Sequence, residues 1–309
     1  MRSTAKVLFI GSKALGLACL KALHQVSPTL NYAVVTYDDQ CDSRSRLTDY
    51  AEFCEVFGFS LHVLKKPAQL DAVVQGFQPE ICFVSGWYWI LPKKMLDRVP
   101  RGFLGVHPSL LPKYRGAAPL VWALIHGETE VGATLFTFTD ETDSGDIWWQ
   151  VIVAVEPNDS INLILQRLED AVVEQLRQSW EAILNGKLVA RTQDSAKATY
   201  FGVRKPSDGE INWSWSAEKI HDFIRAQSKP YPGAFTYLDG EKLNIWSARV
   251  INSNASLPPG RGIVFGERIL IQCGECTSIS IGEISYLSLE GTAKEVLQTH
   301  VNSSPLVFS

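Results

Sequence analysis

No run in the 309 residues approaches the ~20 consecutive apolar residues that a membrane-spanning helix requires. Basic residues form no block, and the formal net charge is −4. A surface built to neutralise a nucleic-acid backbone is therefore not expected, and a small acceptor suits the chain better than tRNA. The opening MRSTAKVLFIGSKALG turns polar and glycine-containing too early for a signal peptide, from which a cytoplasmic location is expected. Cysteine is sparse, and Cys19, Cys41, Cys54 and Cys82 stand mostly among apolar neighbours, as reduced core thiols do. Only Cys273 and Cys276 are closely spaced. A lone CGEC lacks the second ligand pair of a structural zinc site and the strand-then-helix setting of a redox motif, which leaves the coincidence of a hairpin. Internal repeats and low-complexity tracts are absent.

What is present is the ordinary balance of a globular protein, 46% hydrophobic and 20% charged, over about two domain lengths. Apolar β-rich runs KVLFIG (6–11), YAVVTY (32–37), SLHVL (60–64), ICFVS (81–85) and FLGVH (103–107) alternate with helical stretches at 15–25 and 45–57. Continuous apolar strands separated by helices indicate a parallel sheet covered on both faces, which places ligands at the carboxyl ends of its strands. After a turn-rich loop come a helix over 120–126, strands over 132–138 and 146–155, and an amphipathic helix over 160–184. The polar stretch 191–199 reads as a connector. From about Arg204 a short helix (216–228) gives way to AFTYL, KLNIWSARV, GIVFG, RILIQC and SISIGEISYL, short strands of a small antiparallel barrel or sandwich. The expected fold is α/β: an N-terminal doubly wound, mostly parallel sheet over residues 1–203, followed by a smaller, β-rich, barrel-like domain over 204–309.

The strongest chemical signal lies between His107 and Asp143. His107 ends a buried strand, which puts its imidazole on the carboxyl rim of the sheet. Asp143 lies in the polar turn TDETDSGD between two strands, where its carboxylate can orient the imidazole, fix its tautomer and favour its protonated form. The alternative is a hydrogen-bonded core histidine and a turn aspartate that caps its own backbone. Position alone does not separate the two.

The run HPSLLPKYRGAAPLVWALIHGETEVGATLFTFTDETDSGD, with ATYFGVRKPSDGEINW and FIRAQSKPYPGAFTYLDGEKLNIW further on, resembles the 10-formyltetrahydrofolate-dependent formyltransferases. That group contains methionyl-tRNA formyltransferase and the amino-sugar N-formyltransferases. The likeness runs from about Lys6 to about Arg249, more loosely to the end, and looks closest to enzymes that formylate an amino group on a nucleotide-linked sugar. Three family residues, an asparagine and histidine in an N-x-H pattern and the aspartate of a D-[ST]-G-D turn, fall on Gly105, His107 and Asp143. Gly105 departs from the pattern: it has no side chain to donate to the formyl oxygen. An ordered water in the space left by the glycine, a backbone N–H or an amide from another loop would have to substitute.

The resemblance further implies that the folate ring meets the loop GWYWILPKKML through backbone groups of Ile90 and Leu91, while Trp87, Tyr88 and Trp89 read rather as packing residues than as a ligand box. Ser109, Arg115 and Gly116 should approach the substrates, with Arg115 alternatively holding its own loop together. Ser12, in GSKALG, is either part of a tight strand-to-helix turn or a contact to the acceptor. Arg225 and Tyr231 would face the acceptor's phosphate, or form an exposed ion pair and a strand entry. His107 and Asp143 alone do not supply the ligand set of a catalytic zinc site, so no metal is expected. The expected activity is N-formyl transfer from 10-formyltetrahydrofolate to a primary amine of a small acceptor, preferably a nucleotide-linked amino sugar, with a homodimer as one assembly open to the chain. Alternatives are methionyl-tRNA formyl transfer, transfer of another acyl group, hydrolysis of the donor, or a silent folate- or nucleotide-binding paralogue.

Overall fold

The computed structural model describes residues 5–251, 257–265, 268–298 and 306–309. In chain order it forms β1 (Lys6–Gly11), α1 (Lys13–Val26), β2 (Asn31–Tyr37), α2 (Leu47–Phe57), β3 (Ser60–Leu64), α3 (Gln69–Phe77), β4 (Ile81–Ser85), α4 (Lys93–Leu96) and β5 (Phe103–His107). There follow β6 (Arg115–Gly116), α5 (Pro119–Ile125), β7 (Glu130–Thr137), β8 (Ile147–Ala154), α6 (Ile161–Leu184), β9 (Tyr200–Phe201) and α7 (Ala217–Gln227). Two compact units emerge: residues 1–116, 131–153 and 166–201, and residues 117–130, 154–165 and 202–309.

The first unit is a seven-stranded sheet in the order β3-β2-β1-β4-β5-β7-β8. Strands β1 to β5 pair in parallel, and β7 joins β5 antiparallel. This is the expected mostly parallel sheet. Burial on both faces explains the unbroken apolar runs: Val7 to Ile10 and Ile81 to Val84 are all buried. The amphipathic stripe of α6 buries Leu168, Val172, Leu176 and Ile183. It also buries Trp180, whose ring meets Phe83 edge-on at 5.9 Å. Helix α3 was not anticipated from sequence. Its buried face is only Leu70 and Val74, too few positions to stand out as a periodic stripe.

In the second unit a four-stranded sheet consists of β10 (Ala234–Leu238), β11 (Glu241–Ile245), β16 (Glu283–Tyr286) and β17 (Leu289–Thr292). A five-stranded sheet runs in the order β12 (Ala248–Ile251), β15 (Ser278–Ile281), β14 (Arg268–Gln272), β13 (Arg261–Phe265) and β18 (Leu306–Val307). The pairings are antiparallel, as the succession of short strands predicted. Two runs that read as single strands, KLNIWSARV and SISIGEISYL, each break and change sheets, at Trp246–Ser247 and at Gly282. The two corners touch, because the Gly282 N–H donates to the Ser247 carbonyl at 2.8 Å and a Cβ on Gly282 would lie 2.5 Å from Ser247 Oγ. Gly266, last residue of the predicted GIVFG strand, lies outside the described residues. CGEC forms the turn of the β14–β15 hairpin.

Candidate active site

Strand β5 ends at the carboxyl rim, and the two-residue repeat of a strand puts Gly105 and His107 on the same face. Gly105 pairs with Val84 of β4 and with Phe136 of β7. A Cβ placed on Gly105 would lie 2.0 Å from Cε2 of Phe138. The half-buried Phe138 ring therefore fills the volume that a side chain at 105 would take. It stacks on Phe136 at 5.0 Å, and Phe136 meets the His107 imidazole edge-on at 6.3 Å. An ordered water in the space left by the glycine, one substitute allowed by the sequence, is sterically excluded.

His107 is 7% exposed. Its Nε2 stands 2.8 Å from the Tyr114 carbonyl. A carbonyl can only accept, so in the neutral ring the proton sits on Nε2 and the lone pair on Nδ1. Nδ1 faces Asp143 Oδ2 at 3.6 Å. The sequence reading assigned the choice of tautomer to Asp143; the Tyr114 carbonyl makes that choice, because it takes the one N–H of the neutral imidazole. The carboxylate instead stands beside the nitrogen that gains a proton, where an imidazolium would be offset by its charge. Asp143 Oδ2 also accepts the Gly116 N–H at 2.8 Å. Gly116 has φ +99°, and a Cβ there would lie 2.3 Å from the Phe201 carbonyl, so glycine is required for the approach.

The segment read as a connector lies against both loops. Tyr114 N–H donates to Thr199 Oγ1 at 2.8 Å, and Arg115 N–H to the Thr199 carbonyl at 2.8 Å. Arg115 is 2% exposed, and its guanidinium reaches Gln193 Oε1 (2.7 and 3.3 Å) and Tyr200 Oη (2.7 Å). Gln193 Nε2 donates to the carbonyls of Asp143 (2.8 Å) and Gly145 (2.7 Å). Of the two readings of Arg115, the structure supports the one in which it holds its loop. Tyr114, Phe138 and Gln193 were missed from sequence. The roles of the first two are a backbone carbonyl and a ring in another residue's place, and Gln193 acts across 78 positions.

A buried histidine, a carboxylate on its basic nitrogen and a loop wound back against both are here joined by a family match over residues 5–179, described as formyl transferase. The chain belongs to the formyl transferase family. Its residues 204–297 match the formyl transferase C-terminal domain. Among solved structures, this formyltransferase is similar to an N-formyltransferase from Helicobacter canadensis, crystallised with folinic acid and dTDP-3-aminofucose: TM-score 0.70, 17% identity, 90% of this chain and 99% of that one. A sugar N-formyltransferase from a Shewanella species gives TM-score 0.65 and 18% identity over 80% of this chain and 99% of that one. HypX from Aquifex aeolicus gives TM-score 0.68 and 16% identity over 97% of this chain, which spans about half (48%) of the HypX chain.

The other singled-out residues of the formyltransferase fall into three groups. Ser109 and Ser12 use their hydroxyls internally: Ser109 donates to the Lys113 carbonyl at 2.7 Å, and Ser12 to the Gly86 carbonyl at 2.7 Å. Ile90 is 76% exposed and Leu91 buried, and among the described residues their backbone groups form no hydrogen bond. Beside them Tyr37 stands edge-on to Trp87, Tyr88 and Trp89 at 6.5, 5.7 and 5.1 Å, and the buried Trp87 Nε1 has no partner among the described residues. Arg225 and Tyr231 belong to the second unit. Arg225 is engaged by Asp222 (2.7 Å) and the carbonyls of Glu156 and Asp159 (3.0 and 3.4 Å), so its guanidinium clamps that unit rather than standing open to a phosphate. Tyr231 is half-buried, and its N–H donates to the Ser228 carbonyl at 3.0 Å.

Proposed function

We propose that this formyltransferase moves the formyl group of 10-formyltetrahydrofolate to a primary amine of a small acceptor, preferably a nucleotide-linked amino sugar. The observation that carries the reading is the Nδ1 lone pair of His107, fixed by the Tyr114 carbonyl and flanked by Asp143. The donor supplies an activated formyl carbon on a folate amine. Everything else asked of the protein is positioning and proton handling. His107 Nδ1 accepts the proton that the acceptor amine must lose, Asp143 offsets the resulting charge, and the same proton is available to the departing amine.

The donor fits residues on the rim. Unbonded backbone at Ile90 and Leu91, an orphaned Trp87 N–H and exposed aromatic edges suit a flat ring with a polar margin. The Helicobacter enzyme was crystallised with folinic acid and an amino-sugar nucleotide, and HypX with tetrahydrofolic acid, which supports the same two ligand classes here. Phe138 fills the space at Gly105, two residues before His107 on the same strand face, and so leaves no room for water at that position, which favours transfer over hydrolysis. Residues 1–203 would carry the transfer chemistry and residues 204–309 the acceptor side, in the cytoplasm.

The test is mass spectrometry of the protein with 10-formyltetrahydrofolate and a panel of amino-sugar nucleotides. One acceptor should gain a single formyl group, and H107A should lose ~10²–10⁴-fold in rate. Formate released equally with and without amine would instead make the protein a hydrolase. Transfer that survives in H107A would remove the histidine from the mechanism.

A further inference from the structure

We propose that Gln193 is a positioning residue, a four-bonded clamp that sets the geometry of His107 and Asp143. It lies between the two segments that match the family, 5–179 and 204–297. Its buried amide is saturated: Oε1 accepts twice from Arg115, and Nε2 donates both protons, to Asp143 O and Gly145 O. The amide has one possible orientation, because turning it over would set NH₂ against guanidinium and oxygen against two carbonyls.

What the clamp holds is strained. The two residues whose oxygens face the imidazole nitrogens, Tyr114 and Asp143, have φ of +59° and +49°, in the left-handed region that residues other than glycine seldom occupy. Such conformations persist where surrounding bonds over-determine them. Both sets of bonds come from one strap: Thr199 receives the Tyr114 N–H, and Gln193 holds the Asp143 carbonyl. Releasing Gln193 lets the Asp143 turn relax, and the carboxylate leaves Nδ1.

The inference rests on the transfer reading above for its activity readout but not for its structural one. In the full-length protein, Q193A removes all four bonds. Q193E keeps the acceptor for Arg115 and replaces both donors to the Asp143 turn with an oxygen that faces the two carbonyls. Displacement of a reacting group by ~1 Å costs up to ~10²-fold, so kcat should fall at least about tenfold in both variants with the donor KM changed less than about twofold. Long-range ¹H–¹⁵N spectra of the free protein should show the His107 Nδ1 signal displaced in both. Wild-type kcat and an unmoved His107 signal in Q193E would overturn the clamp. If wild type transfers no formyl group, the spectra alone decide: a displaced signal upholds the clamp while the transfer reading falls, and an unmoved one ends both.

Discussion

At residue scale the departure from the family pattern is a paired one. A glycine on the face of β5 that carries His107 and a phenylalanine just after β7 share one volume, so a change at either is felt at the other. In G105N the new Cβ meets the Phe138 ring at 2.0 Å, and overpacking of this kind costs ~1–3 kcal/mol, to be read by urea titration. F138A leaves a cavity in the Phe136 stack and should also destabilise. The double variant G105N/F138A should be more stable than the sum of the two single changes predicts, because loss of the ring makes room for the amide. It also restores a donor beside His107, and one preorganised donor is worth ~10²–10³ in rate, so its kcat should exceed that of F138A. Strict additivity in the cycle would show that the two positions do not share space.

At the scale of elements, α1, α2 and β2 meet through His24, whose ring lies 4.4 Å from Phe57, 5.1 Å from Phe59, 5.9 Å from Phe53 and 6.0 Å from Tyr32. Its Nδ1 is buried with no partner among the described residues, and burial lowers its pKa from the ordinary 6.5. The unfolded chain therefore binds this proton at higher pH than the folded one does. The stability owed to neutral His24 is complete above pH 6.5 and is lost as pH falls from there toward the lower folded value. H24F should flatten that part of the stability–pH curve; an unchanged slope would place the histidine's ring in water. The same scale shows what a sequence reveals. Strands β1, β2, β4 and β5 were legible because burial on both faces leaves continuous apolar runs, and α6 because its stripe repeats. The rim position of His107 followed from the end of β5 and the proline after it. The strap was not legible beyond its polarity. Arg191 to Thr199 has the composition of a linker because its partners, at 112–115 and 143–150, are distant in sequence, 85 positions for the Tyr114–Thr199 bond and more for the bond of Thr199 to Pro112. Nothing local in a sequence records such bonds.

For the whole molecule the thiols give a test that spans both units. All six cysteines are free; Cys41 and Cys276 are exposed, and Cys19, Cys54, Cys82 and Cys273 are buried. Burial pushes the Cys54 thiol up to about 11 and the Cys273 thiol up to about 12, and holds those of Cys19 and Cys82 far above the usual range. Since the thiolate is the reactive form, at pH 8 only about a thousandth of Cys54 could react even if a reagent reached it. With Ellman's reagent the native protein should release two equivalents promptly, and guanidinium should release the remaining four in one cooperative step per unit. C41S/C276S should abolish the prompt phase and leave the later one intact. A third prompt thiol would mean that one of the two cores opens on the timescale of labelling, and the residue that reacts would say which.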